Sequence, residues 1–318
     1  MGQRANYVLI EDNSQTIYYN HWRANAIAAD LYLGERLFLD FVRRCEPVDV
    51  LLDEVWIEGC VVIDTVKSAV YFWSLELGYN SAVEYYLERL KGKWPGWEII
   101  HVKNKMYDIE RVLGIAYSNN FEGRKIDLPT AADMIADEVE DWANATVVLK
   151  SENKIHIVQT GSISVEEILN FGKSVTDVLL ARPLKALYKE NDLSLYKLLV
   201  IDTIGKKVII DESEHGLLEQ VAEKWEGYNL IMGDFGYIGA LNLAKIDTTG
   251  LRMTGEEIIK EFNSLIQQYA NFDSNSFAKE LLKTDKNVQF NPNFFDTTRP
   301  SISLFEKLKL MLKSFLKG

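Results

Sequence analysis

The sequence predicts an α+β protein made of a duplicated ββαββαβ unit, with antiparallel sheets covered by helices and a C-terminal helical extension. Three observations lead there. The chain has 318 residues, 47% of them hydrophobic and 26% charged, which is more than one hydrophobic core usually holds. Short β-rich runs flanking polar turns alternate with segments of helical period. Finally, one half of the chain resembles the other.

The resemblance runs through three blocks in the same order. Val61-Val62-Ile63-Asp64-Thr65 aligns with Leu199-Val200-Ile201-Asp202-Thr203, and Lys93-Trp94-Pro95-Gly96-Trp97 with Lys224-Trp225-Glu226-Gly227-Tyr228. Upstream, Asn6-Tyr7-Val8-Leu9-Ile10 resembles Ala145-Thr146-Val147-Val148-Leu149. Self-similarity of this kind marks a repeated structural unit.

In the first copy, 6–12 and 15–22 read as strands about the polar turn Asp12-Asn13-Ser14. Leu31, Leu33, Leu37, Phe38, Phe41 and Val42 form a helical stripe over Asp30–Arg44. A second hairpin, 59–64 and 69–75, turns at 65–68. A helix over 80–91 and a strand from Trp97 to Val102 complete the copy. The second copy repeats the plan at 145–149, 154–159, 164–181, 197–203, 207–211, 214–225 and 228–232. Hairpins alternating with helices imply antiparallel sheets, each packed on one face by helices.

The predicted boundaries are 1–126 for copy one, 127–142 for an acidic linker helix, 143–249 for copy two and 250–318 for the extension. Asp127-Leu128-Pro129-Thr130 suits a helix start. The next residues carry Asp133, Asp137, Glu138, Glu140 and Asp141, an acidic face. In the extension, Thr254-Gly255-Glu256-Glu257 opens a helix whose stripe is Ile258, Ile259, Phe262, Leu265 and Ile266. Residues 284–300, holding Pro292 and Pro300, read as an irregular connection, and 301–317 as a basic amphipathic helix.

Charge narrows the partners. The net −12 comes from 35 basic and 47 acidic residues, so a phosphate-binding surface for nucleic acid is not expected. Residues 301–317 hold four lysines and one glutamate, leaving 31 basic against 46 acidic residues on 1–300. Such a helix suits its own acidic body, a partner groove or weak contact with an anionic membrane. No apolar run reaches membrane-spanning length and the N-terminus has no apolar signal core, so a cytoplasmic protein is expected. Two cysteines, Cys45 and Cys60, are too few for a disulfide framework and read as buried thiols.

Motifs of phosphate loops, serine hydrolases and zinc proteases are missing, and no cofactor or metal site is expected. Gly233, Gly236 and Gly239 read as turn or packing glycines, and Asp211-Glu212-Ser213-Glu214-His215 as a helix start, with Asp211 or Ser213 as its cap.

The copies separate scaffold from specialisation. Asp64 with Asp202 suits hairpin turns, and Trp94-Gly96 with Trp225-Gly227 suits packing. Aromatic and charged residues concentrate in copy one, in Tyr18-Tyr19-Asn20-His21-Trp22-Arg23, Trp56-Ile57-Glu58-Gly59 and Tyr71-Phe72-Trp73-Ser74-Leu75-Glu76. Arg4, Trp22, Arg23 and Trp73 are the binding candidates, since tryptophan and arginine dominate interface energetics. Together they suggest a non-catalytic module of the immunity, inhibitor or defence-assembly type, its acidic surface facing a basic or neutral protein. The alternative is an enzyme for a small polar or anionic substrate, with Arg23 as binder, His21 as acid or base, and Glu58 or Glu76 orienting it. A further alternative is a peripheral membrane protein held by 301–317.

Overall fold

The computed structural model describes residues 3–300 except 13, 54, 76, 79, 117–126, 137–142, 153, 183–184, 193–196, 214, 235, 268–272, 285, 287, 291 and 296–297. In chain order its elements are β1 (Ala5–Glu11), β2 (Ser14–Asn20), α1 (Ile27–Leu31), α2 (Glu35–Val42), β3 (Glu46–Val48), β4 (Gly59–Asp64), β5 (Ala69–Ser74), α3 (Ser81–Lys91), β6 (Glu98–His101) and α4 (Met106–Leu113). They continue as α5 (Leu128–Ala136), β7 (Ala145–Ser151), β8 (Lys154–Thr160), α6 (Val165–Asn170), α7 (Val175–Leu180), β9 (Leu198–Asp202), β10 (Lys207–Ile210), α8 (Leu217–Val221), β11 (Asn229–Met232), α9 (Gly236–Leu243), α10 (Gly255–Gln267) and α11 (Ser274–Thr284). The predicted C-terminal helix, Glu76 and the acidic residues 137–141 lie outside the described residues; Asp133, on α5, is exposed.

The chain divides into two compact units. The first contains residues 1–77, 87–101 and 263–318, the second 78–86 and 102–262. The first holds a six-stranded sheet of order β3-β2-β1-β4-β5-β6, the second a five-stranded sheet of order β11-β10-β9-β7-β8. The α+β class is as expected, and so are the hairpins β1–β2, β4–β5, β7–β8 and β9–β10.

The sheets are mixed rather than wholly antiparallel. β1 runs parallel to β4, β5 to β6, β7 to β9 and β10 to β11. A helix-containing connection between hairpins is long enough to return the chain in the same direction, which a two-residue turn is not. Central parallel strands have both side-chain rows covered, and all residues of β4 and β9 are buried accordingly.

In the second unit helices lie on both faces of the sheet, where one covered face was expected. Val147, Leu149, Leu199, Ile201, Val208 and Ile210 pack with residues of α5, α6, α7 and α8. The alternate row, Val148, Leu198, Val200 and Ile209, packs with Tyr237, Ile238, Ala240 and Leu241 of α9. In the first unit Tyr7, Phe38, Phe41 and Trp94 form an edge-to-face ring cluster.

Two predicted helices are each divided by glycine. Gly34 (φ +91°) separates α1 from α2, and a side chain there would meet the Lys93 carbonyl at 3.0 Å. Gly172 (φ +64°) separates α6 from α7 beside the Lys224 backbone. Both need a left-handed backbone and close approach, which interrupts a continuous helix.

Candidate functional site

Between β3 and β4, Val50, Val55 and Trp56 present apolar side chains to solvent from a hydrogen-bonded frame. Asn6 of β1 accepts the Leu52 N–H at 2.7 Å and donates to the Tyr18 carbonyl at 3.0 Å. The Asp53 carboxylate accepts from the Val55 N–H, and its carbonyl accepts from Trp56 and Ile57. Ile57 is buried and anchors the loop, which leaves Val50 at 72%, Val55 at 77% and Trp56 at 58% exposure. Leu75 is also exposed; its N–H bonds the Glu58 carbonyl.

Arg4 and Glu58 support the indole. The Arg4 N–H donates to Glu58 Oε2 at 2.7 Å, while Glu58 N–H donates to the Arg4 carbonyl at 2.9 Å. The Arg4 guanidinium stands 3.5 Å from the same carboxylate and 5.0 Å from the Trp56 ring centroid. A cation against the ring and a carboxylate holding that cation limit the movement of both side chains. Exposed Asp49 and Asp53 add negative charge around the apolar group.

The other sequence candidates have different surroundings. Arg23 lies beyond the end of β2 at 2% exposure and pairs with Asp30, with Nε 2.9 Å from Oδ2. The chain turns into a short helix at Ala24–Ala26, which brings Asp30 of α1 to the guanidinium expected to bind a substrate. Burial pushes the Asp30 carboxyl up against the opposing pull of Arg23. Burial and then Asp30 push the nearby Tyr7 hydroxyl well above its ordinary range. Arg23 thus serves a buried ion pair.

His21 Nδ1 is 2.7 Å from the Tyr19 hydroxyl, and its ring meets Trp22 edge-on at 4.7 Å. Trp22 is buried against Phe277 and Phe294. Trp73 is buried in β5, and its indole N–H finds no acceptor among the described residues. The structure therefore brings Arg4 and Glu58 together, places Arg23 with Asp30, and buries Trp22 and Trp73.

Val50 and Val55 escaped the sequence reading. Their signal is apolar residues set among Asp49, Asp53 and Glu58 in a stretch with neither strand nor helix period. Phe290 and Phe294, which cover Trp22, were similarly hidden in an irregular connection.

In the second unit Asp211 is no helix cap. Its carboxylate accepts N–H groups of Leu198 and Glu212, and α8 begins after Gly216. Burial, then Glu212, pushes its pKa up to about 7. Lys105 lies 3.7 Å from Glu212. Among the described residues no group of three histidine, cysteine or acidic side chains is arranged to hold a metal ion, and no helix is long and apolar enough to cross a membrane.

Comparison with known proteins finds no matching family model, no matching curated protein and no matching solved structure.

Proposed function

We propose that the protein is a non-catalytic binding module of the inhibitor or immunity type, which contacts a basic protein through loop 49–57. The observation that carries this reading is Trp56, 58% exposed and backed by the Arg4–Glu58 pair. An exposed tryptophan among apolar neighbours, held in place before binding, has the properties of an interface hot spot. Asp49 and Asp53 around it, with the net charge of −12, favour a positively charged partner. The catalytic alternative has less support, because Arg23 is committed to Asp30 while Glu58 is committed to Arg4.

The test is affinity capture by the full chain, with Trp56→Ala and the charge reversal Asp49→Lys/Asp53→Lys as controls. A basic protein retained by the wild type should be lost with Trp56→Ala. It should weaken with the charge reversal and with raised salt, as screening requires. Retention indifferent to all three changes would contradict the reading.

A further inference from the structure

At one end of the first unit's sheet, side chains bond main-chain carbonyls of Phe294, Thr298 and Arg299. α11 and the short helix Pro292–Phe295 belong to this unit, and Trp22, Ala278 and Phe294 form a small cluster with Phe277, Leu281 and Phe290 around them. The Phe294 ring lies edge-on to Trp22 at 4.9 Å, 6.3 Å from Phe277 and 6.4 Å from His21. Three side chains from the sheet and α2 regions then donate to main-chain carbonyls of one segment. The Trp22 indole N–H donates to Phe294 O, Asn20 Nδ2 to Thr298 O at 3.1 Å, and an Arg44 guanidinium N–H to Arg299 O at 2.8 Å.

These donors are positioned by the unit itself. Asn20 accepts the Trp22 N–H at 3.0 Å, and Arg44 Nε bonds the Asp40 carbonyl at 3.0 Å. The second unit shows what the same strand end does without such a task. There Thr160, which faces Ala145 as Asn20 faces Ala5, bonds its own loop at Ile163. Asn20 instead reaches a carbonyl 278 residues away. An aromatic cluster combined with side-chain donors to several carbonyls of one segment is the chemistry of peptide recognition, in which main-chain bonds give affinity and the aromatic cluster selects the side chain.

We propose that this end of the first sheet is a peptide-recognition groove, filled in this chain by Phe290, Phe294, Thr298 and Arg299. Its partner in trans is a peptide with a phenylalanine for the Trp22–Phe277 pocket and carbonyls four and five residues further on. The groove is independent of the Trp56 surface and stands or falls separately from it.

The test uses the full chain and a fluorescent synthetic peptide of residues 288–300, followed by anisotropy. The wild-type chain should bind it weakly, since its own segment competes at an effective concentration of roughly millimolar. Phe294→Ala in the protein empties the pocket, so the same peptide should bind at least tenfold tighter. A peptide carrying Phe294→Ala should lose that gain. Phe294→Leu replaces the alanine variant if the latter loses its far-UV circular dichroism spectrum. A folded variant that binds the peptide no better than wild type, or binds both peptides equally, overturns the proposal.

Discussion

In the first unit the Trp94 indole donates to the Leu31 carbonyl at 2.8 Å and meets Trp97 edge-on at 5.2 Å; in the second, Trp225 donates to Leu169 at 2.9 Å and meets Tyr228 edge-on at 5.4 Å. Thr65 and Thr203 each bond a carbonyl at the end of the neighbouring parallel strand, and Asp64 and Asp202 each accept N–H groups of their own turns. Strand order agrees too, with β2-β1-β4-β5-β6 matching β8-β7-β9-β10-β11. The differences lie at the ends of the strands. Trp73 faces Cys60 where, in the second unit, Asp211 takes the Leu198 N–H. The first unit pairs Arg23 with Asp30 and the second pairs Lys197 with Glu166, with different residues at different positions. Turn and packing chemistry is therefore shared, while ionisable and exposed aromatic groups are particular to each unit.

The largest expected effects concern the two buried ion pairs. Asp30→Ala and Glu166→Ala each remove the carboxylate that pairs a buried cation, at a cost of about 3–5 kcal/mol. Urea unfolding would measure both, and a cost below 1 kcal/mol in one unit would break the parallel.

Asp211 sharpens the contrast through pH. Its folded pKa of about 7 lies above the ordinary 3.8, so the folded state holds the proton more tightly. Stability from this group is present at acid pH, falls as pH rises from about 4 to 7, and is flat above that window. At about 1.4 kcal/mol per unit, the decline approaches ~4 kcal/mol. Asp211→Asn should flatten it in a denaturation series across that range and stabilise the protein at pH 8; an unchanged profile would argue against a proton on Asp211.

Trp94→Phe and Trp225→Phe each remove one hydrogen bond and part of a buried ring, while Gly34 N–H still serves the Leu31 carbonyl and Phe171 N–H the Leu169 carbonyl, and a matched loss of about 1–3 kcal/mol is expected. Smaller still, Asp64→Ala and Asp202→Ala should each cost about 1 kcal/mol. Thermal unfolding can rank the four variants, and a twofold mismatch within either pair would show that the shared geometry carries unequal weight.

Much of this scaffold is legible in the sequence because its causes are local. Period-two alternation and polar turns mark the hairpins, and the turn bonds of Asp64 and Asp202 lie within three residues of each. Causes that act across the chain are not legible. The helix breaks depend on Gly34 meeting Lys93 and Gly172 meeting Lys224. Parallel pairing depends on the path of the chain between hairpins, and β3 is three residues long. At the candidate site, Arg4, Trp56 and Glu58 were visible as chemistry. That Arg23 turns inward to Asp30, and that Phe294 covers Trp22 from 272 residues away, follow from tertiary contacts that no spacing announces.

Trp56 and Ile204 make the decisive pair, since both are exposed apolar residues on loops, one in each unit, at 58% and 54% exposure. The most direct measurement is the affinity of the captured basic partner for wild type, Trp56→Ala and Ile204→Ala under one salt condition. The account predicts at least a tenfold loss for Trp56→Ala and no change for Ile204→Ala. Equal affinities for all three proteins, or a loss confined to Ile204→Ala, would contradict it.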